Sequence, residues 1–413
     1  MTTLAPPTIE TLTPPSSYGE LYAGKLFSHV PDELDEAIAE ISNMEAPISL
    51  KEQEGLLEKT AKLVQPESEG YMFTVGECVG QLAVEETVEM VVAHHLVVND
   101  ATTTHAEIDK TRSKKIFNQS IIVHRATNYE KPRSKPRERV NGIKVPSFMG
   151  PAINSEDERT PQPNKLALAT LTTAQILTKS RSRIRQIEGP FRDVYFAREG
   201  LVTSRLTAEM RGHEGARYNG FTHVVWLGNR TRGEGNPQEE ELAKLESTHI
   251  QIKIDQHTDA EEIDRLHKKF NPDNIDGKIG FILRVGVANL DKIQDIIEAI
   301  QKYSYGRLII SDPMHNNTYT DEETGQKTRC LEDIEMEMNA VIDACNRASS
   351  ARPERPIRCH GIHLEAGSLV NDTECVDDKM SHPTKVPELD PLLNMTQLTK
   401  LLSKFVRKSI KNV

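Results

Sequence analysis

The stretch LIISDPMHNNT, Leu308–Thr318, frames the reading of the whole chain. Leu308, Ile309 and Ile310 form a short apolar β-type run that stops at Asp312-Pro313, where proline removes a backbone donor and ends a ladder. Asn316 and Asn317 tolerate the unusual backbone angles of a tight turn. The pattern is that of a buried strand delivering its polar end to a turn. Asp312 and His315 then read in two ways, as parts of an ordinary polar turn or as groups that bind metal or move protons. Recurrence bears on the choice, because other apolar runs of the chain end in the same manner.

From Tyr71 onward short apolar runs alternate with helical segments, which is the signature of βαβ units around a parallel sheet. The runs are Met72–Cys78, Ser120–Arg125, Gly200–Arg205 (the least regular), His223–Asn229, His249–Ile254, Ile279–Arg284, Leu308–Asp312 and Gly361–Glu365. Eight strands predict an α/β fold of the (β/α)8 TIM-barrel type, whose functional residues stand at strand C-termini. The residues ending the runs are Cys78, Arg125, Asn229 with Arg230, Lys253, Arg284, Asp312 with His315, and Glu365. Helices are expected over Cys78–His95, Ala288–Tyr303 and Leu331–Ala348, where apolar residues recur three or four apart. Asn128–Asn164, dense in Pro, Arg and Lys, is too long for a plain connection, and long barrel loops carry function.

Ahead of the barrel, residues 1–70 read as a Thr- and Pro-rich tail followed by a helical extension, with 71–413 as the catalytic barrel. Ser49 is suited to start the second of two helices there, and these helices either plug the lower end of the barrel or form a subunit contact. A net charge of −11 over 413 residues argues against broad nucleic-acid binding. A mean hydropathy of −0.51, without an apolar run of membrane length, argues against a membrane span. Five cysteines, widely spaced and without a CxxC pair, suggest a reducing cytoplasm, and the N-terminus carries no signal or transit pattern.

Two constellations carry chemistry. Cys78, His315 and Glu365, with Asp390 as a fourth member, mix a thiol, an imidazole and carboxylates, a set suited to a borderline divalent metal such as Mn, Co, Fe or Zn. Read from residue type alone, they are equally a core cysteine and ordinary capping groups. The second constellation is cationic: Arg125, Lys131, Arg133, Arg230, Lys253, Arg284 and Lys327. Arginine forks and lysine point charges bind phosphate and carboxylate. Lys131 and Arg133 also fit a solvated loop, whereas Lys253 and Arg284 sit inside apolar runs and need anionic partners.

These residues resemble those of the class II, or plant-type, 3-deoxy-D-arabino-heptulosonate 7-phosphate (DAHP) synthases, in particular short members found in phenazine-type clusters. The likeness runs from about Pro47 to Asn394. Its motifs are TVGEC ending at Cys78, VHRATNYEKPRS at Val123–Ser134, VPSFMG at Val145–Gly150, VVWLGNRTR at Val224–Arg232, QIKI at Gln251–Ile254 and ILRVG at Ile282–Gly286. SDPMHNNT at Ser311–Thr318, GQKTR at Gly325–Arg329, GIHLEAG at Gly361–Gly367, NDTEC at Asn371–Cys375 and LDPLLN at Leu389–Asn394 complete the series. The resemblance implies that Cys78, His315, Glu365 and Asp390 bind a divalent metal, Mn or Co among the options. It implies that Arg125, Arg230, Lys253 and Arg284 hold phosphoenolpyruvate beside Trp226, the chain's only tryptophan. Lys131, Arg133, Ser134 and Lys327 would take the phosphate of an aldose, with Lys253, Arg230, Asn229 and His315 at the reacting centre. A cytoplasmic homodimer or homotetramer feeding the shikimate pathway or secondary metabolism is the corresponding expectation.

The chain also departs from that pattern. Where the family has Gly-Glu-Arg-Thr-Arg this chain has Gly228-Asn229-Arg230-Thr231-Arg232, which replaces a carboxylate with an amide that cannot act as a base. Met149-Gly150-Pro151 takes the place of an Arg-Gly-Asp, and Thr203-Ser204-Arg205-Leu206 takes the place of a Thr-Ser-His-Glu. The expected activity is condensation of phosphoenolpyruvate with erythrose 4-phosphate. The alternatives are a paralogue using another aldose phosphate, for example an amino-substituted one, or a non-catalytic paralogue that binds phosphorylated ligands.

Overall fold

The structure, a computed structural model, describes residues 21–22, 25–103, 110–133, 137–140, 142–187, 193–213, 215–367, 374–387 and 389–410. Eight strands close a barrel: β1 (Met72–Gly76), β2 (Ile121–His124), β3 (Tyr195–Glu199), β4 (Val224–Leu227), β5 (His249–Ile254), β6 (Ile279–Leu283), β7 (Leu308–Ser311) and β8 (Gly361–Glu365). Every neighbouring pair is parallel, and β1 closes the ring against β8, with Thr74 beside His363 and Gly76 beside Glu365. The (β/α)8 barrel expected from the alternating runs is therefore the observed fold.

The two-residue period of a strand explains how this sequence builds a wall and a site at once. Phe73, Val75, Ile122, Val225, Leu227, Ile250, Ile252, Phe281, Leu283, Ile309 and Ile362 pack in one core with the surrounding helices. The alternate positions Met72, Ile121, Val123, Tyr195, Ala197, Val224, Trp226, Ile282, Leu308 and Ile310 form a second core inside the barrel. The same inward phase, continued upward, reaches Glu199, Lys253, Asp312 and Glu365. Several ladders stop one or two residues before the polar group that was read as ending the strand: Gly76 precedes Cys78, His124 precedes Arg125 and Leu283 precedes Arg284. The chemistry is thus carried on the first loop residues of a rigid frame.

The helix Leu50–Leu63 closes the barrel from below. Leu56 and Leu63 belong to the interior core, and Gln53 Nε2, fully buried, donates to the carbonyls of Asn219 (2.9 Å) and Thr222 (2.8 Å). Ser49 caps this helix by accepting from the amide of Glu52 at 3.3 Å, as its sequence position suggested. Of the two roles foreseen for the extension, this helix takes that of the plug.

The third strand is a correction. The run Gly200–Arg205 is not a strand: Gly200–Val202 form a loop and Thr203–Ala208 a helix, while β3 is Tyr195–Glu199, five residues earlier. Arg198 and Glu199 within YFARE hid its apolar character, although both are buried. Smaller differences follow the strand ends. The first barrel helix is Val84–Thr103, not Cys78–His95, so Cys78 lies in the turn after β1. The next two expected helices appear as a 3-10 turn, Val287–Lys292, leading into Ile293–Tyr303, and as Leu331–Ala351. Within the long loop, Arg137–Val140 and Ile143–Pro146 pair as an antiparallel hairpin. Among the described residues no helix is long and apolar enough to cross a membrane.

Candidate active site at the C-terminal mouth of the barrel

The strand C-termini open into a cavity of about 480 Å³ whose lining includes Cys78, Arg125, Lys131, Trp226, Asn229, Arg230, Lys253, Arg284, His315 and Asp390. Ten residues singled out from the sequence thus meet in one place, and Glu365 lies directly behind them, fully buried. Arg133 stays outside the lining and pairs with Glu138 at 3.2 Å. Lys327 is half exposed at the rim, 4.0 Å from Asp390. Ser134 lies outside the described residues.

Glu365 organises one side. Its Oε1 is 3.0 Å from both Arg125 Nη1 and His315 Nε2, and Oε2 accepts from Arg329 Nη1 at 2.7 Å. Burial alone would raise the Glu365 pKa, but the charges of His315, Arg125 and Arg329 outweigh it and hold the carboxyl well below the usual range. His315 is steered by its other nitrogen, Nδ1, which lies 2.7 Å from Asp312 Oδ2, so β7 and β8 jointly fix the ring. Helix Leu331–Ala351 supports this side from outside: Glu337 accepts from the amide of Val285 and from Asn317 Nδ2, both at 2.7 Å, tying the turns after β6 and β7.

Next to Glu365 stand Cys78 and Asp390, with Sγ and Oδ2 separated by 3.4 Å. The ammonium of Lys131 lies against both, at 2.7 Å and 2.5 Å. Burial pushes the Cys78 thiol up to about 12, with the Glu365 charge adding to the effect. Asp390 is held well below the ordinary range, because Lys131 outweighs the opposing effect of burial. Among the described residues no three His, Cys, Asp or Glu side chains already form a metal cage. The donor chemistry nevertheless suits a divalent ion: a thiol, an imidazole and two carboxylates converge, and Glu365 Oε1 has no donor in hydrogen-bonding geometry despite its charged neighbours. A cation, Lys131, already rests between two of the four.

The opposite side is an anion cradle. Trp226 forms its wall, with Arg125 and Lys253 5.1 and 5.6 Å from the ring. Lys253 Nζ is 3.8 Å from Asp312, and burial brings its pKa down to about 8, helped by Arg125 and Arg284 and opposed by Asp312. Arg284 is oriented by Asn316, and Arg230 donates to the carbonyl of Pro132 at 2.9 Å. Such cations in a poorly solvated pocket favour a ligand with more than one negative group.

Three carboxylates of the mouth were missed in the sequence. Glu199 ends β3 and reaches the cavity. Its pKa is raised by burial, against the pull of Lys253 and Arg230. Gly228 leaves room for it, since a Cβ there would come within 2.1 Å of Glu199 Oε1. The carboxylate that ends β3 is Glu199, whereas Thr203-Ser204-Arg205-Leu206, set against the family's Thr-Ser-His-Glu, lies past the strand end in a helix. Glu130, also in the lining, is clamped by Arg205 (2.9 Å), Arg198 (3.4 Å) and the amide of Val202 (2.9 Å). Asp255, just after β5, receives Nδ2 of Asn229 on one oxygen and the amide of His257 (3.1 Å) on the other. The signal that could have found Glu199 and Asp255 is the strand phase, which places both at the upper end of barrel strands.

Three comparisons bear on this geometry. The model of the class-II DAHP synthetase family matches residues 27–189 and 191–402. A phospho-2-dehydro-3-deoxyheptonate aldolase of Streptomyces coelicolor is 27% identical over 335 residues, covering 66% of this chain and 71% of that protein. Its namesake from Neurospora crassa is 26% identical over 356 residues, covering 67% and 71%. Among solved structures, the phospho-2-dehydro-3-deoxyheptonate aldolase of Francisella tularensis has the same fold, with a TM-score of 0.53 at 14% identity over 98% of this chain and 99% of that one.

Proposed function

We propose, because the chain belongs to the class-II DAHP synthetase family, that it condenses phosphoenolpyruvate with a phosphorylated aldose, erythrose 4-phosphate by default, and releases phosphate. The observation that carries this reading is the convergence of Arg125, Arg230, Lys253 and Arg284 around Trp226, within one cavity with Lys131. That arrangement suits two anionic substrates held close together against their mutual repulsion. In the reaction, C3 of phosphoenolpyruvate bonds to the aldehyde carbon, whose oxygen takes a proton. Water adds at C2 and gives one proton to a carboxylate, which balances the proton taken by the aldehyde oxygen, and the C2 hydroxyl gives its remaining proton to the phosphate as the C2–O bond breaks, leaving a 2-keto acid.

In this reading Arg125, Lys253 and Arg284 hold phosphoenolpyruvate, while Lys131 and Arg230 face the aldose phosphate, with Arg133, Ser134 and Lys327 further along the same loop and rim. Cys78, His315, Glu365 and Asp390 would hold a divalent ion, Mn or Co, once Lys131 turns from Cys78 and Asp390 toward the substrate. That ion would supply Lewis-acid stabilisation of developing negative charge at the aldehyde oxygen. Asn229 cannot take the proton of the adding water. Its side chain instead orients Asp255, whose carboxylate enters the mouth from the neighbouring strand end and takes that role. The exchange of Glu for Asn at 229 also favours a second reading, an altered aldose such as an amino-substituted one.

We further take residues 1–70 as the extension and 71–413 as the catalytic barrel of a cytoplasmic homodimer or homotetramer serving the shikimate pathway or secondary metabolism. The five free, buried cysteines support a reducing compartment. The test is phosphate release from phosphoenolpyruvate by the purified chain with Mn or Co and a panel of aldose phosphates, with product masses measured. Release with erythrose 4-phosphate supports the default reading and release with another aldose the second. No release with any of them removes both.

A further inference from the structure

We propose that Glu337 is a positioning residue which, from outside the barrel, sets the places of Arg284 and His315 and so ties the anion cradle to the donor set beside it. In the helix Leu331–Ala351 the inward stripe of Ile334, Met338, Val341 and Cys345 is apolar, and Glu337 falls within that stripe, fully buried. A carboxylate taken out of water is costly unless a cation or several donors meet it. Among the described residues Glu337 has no cationic partner. The groups acting on it are the amides of Val285 and Gly286, the Asn317 side chain and the like charge of Asp312. A leucine or methionine would fill the same place in the stripe without that cost, so the carboxylate is kept for what it holds.

What it holds is two turns at once. Oε1 accepts from the amide of Val285, next to Arg284, and Oε2 accepts from Nδ2 of Asn317, two residues after His315, both at 2.7 Å. The turns also touch each other. Gly286 has a φ of +78°, and a Cβ there would come within 2.8 Å of the Asn316 carbonyl oxygen, while Asn316 Nδ2 donates to the Arg284 carbonyl at 2.9 Å. Every hydrogen-bonding group that meets Glu337 is a donor, so both of its oxygens are needed as acceptors. Asn317 cannot turn over to suit an amide, because its Oδ1 accepts from Val287 (2.9 Å) and its Nδ2 also donates to the Pro313 carbonyl (2.8 Å). Glu337→Gln would therefore set a donor against a donor on one turn or the other, without changing the size of the side chain.

The ligand side of this assignment rests on the reading of Arg284 as a phosphoenolpyruvate contact and of His315 as a metal donor. The test titrates phosphoenolpyruvate into the full chain, without aldose or metal, and follows the fluorescence of Trp226, the chain's only tryptophan and part of the cavity wall. Glu337→Gln should raise Kd about fivefold or more, since a misplacement of about 1 Å suffices for such losses. Its melting temperature should stay within about 3 °C of the wild type, because removal of a buried charge offsets the donor clash. Asn317→Ala cuts the same link from the other end, and the double variant should bind no more weakly than Asn317→Ala alone. Crystal structures of Glu337→Gln and the wild type should superpose on β6 and β7 while Arg284 or His315 shifts by about 0.5–1 Å. A smaller rise in Kd, a larger fall in melting temperature, or losses that multiply in the double variant would overturn the proposal. Wild-type protein that fails to bind phosphoenolpyruvate would remove the functional reading instead, and the two crystal structures would then decide: unmoved Arg284 and His315 would overturn the positioning role.

Discussion

In the proposed reaction the amide of Asn229 cannot act as a base, and Asp255, at the next strand end, is assigned that role. The Asn229 amide donates to Asp255 Oδ2, and both side chains face the cavity that holds Lys253 and Arg230. If Asp255 takes the proton, Asp255→Asn lowers kcat by roughly 100-fold or more, the range of a lost general base, with a smaller change in KM. Asn229→Glu combined with Asp255→Asn should recover most of the loss, because the carboxylate then stands on β4. Equal activity of Asp255→Asn and the wild type would remove this assignment. Lys253 gives a second expectation. Its folded-state pKa of about 8 lies below the ordinary 10.5, so the ammonium is present below about pH 8 and lost as pH rises through that value. The specificity constant for phosphoenolpyruvate should therefore fall on the alkaline side of about pH 8, and Lys253→Arg should move that limb upward while lowering the maximum. An alkaline limb at the same pH in Lys253→Arg would show that another group titrates. Lys253 and Arg284 were legible because a cation inside an apolar run is conspicuous. Asp255 was not, since a charged residue just beyond a strand is the commonest kind of loop residue.

At the scale of elements, the alternation of apolar runs was enough to count the strands but not to place all of them. Seven of the eight runs overlap their strands, and the exception is instructive. YFARE places two charged residues in a five-residue strand, and they are tolerated because Arg198 reaches Glu130 and Glu209 while Glu199 turns inward to the mouth. A pairing of that kind joins β3 to the loop after β2 and to the end of the helix Thr203–Ala208, and no local window of sequence contains it. The plug helix was legible through its apolar spacing, but its partner was not. Leu56 is fully buried in the same core as Trp226 and Ile310, so Leu56→Ala should cost about 2–5 kcal/mol in a denaturant titration. It should leave KM for phosphoenolpyruvate within about twofold at temperatures where the protein stays folded, because Leu56 does not line the mouth cavity. A cost below about 1 kcal/mol would mean that the helix rests on the barrel without closing it.

For the molecule as a whole, the barrel separates two tasks by height. Its middle layers are apolar and fix the frame. The upper layer gathers cations and carboxylates from residues as distant in sequence as Cys78 and Asp390, which only ring closure brings together. That assembly leads to an expectation about metal. Lys131 shares Cys78 and Asp390 with the proposed ion, so the two cations compete for one place unless the ammonium swings toward a substrate phosphate. Treatment with a chelator should abolish phosphate release, and Mn or Co should restore it. Added Mn should also raise the melting temperature of the metal-free protein, since an ion bound only by the folded state stabilises it. Lys131→Met should enlarge that thermal shift by removing the competing charge, even as it weakens use of the aldose phosphate. Cys78→Ser and His315→Ala should shrink it by removing donors. A Mn-dependent shift that is unchanged in Cys78→Ser and His315→Ala would place the ion elsewhere, and the Lys131 contacts would then be a permanent part of the site.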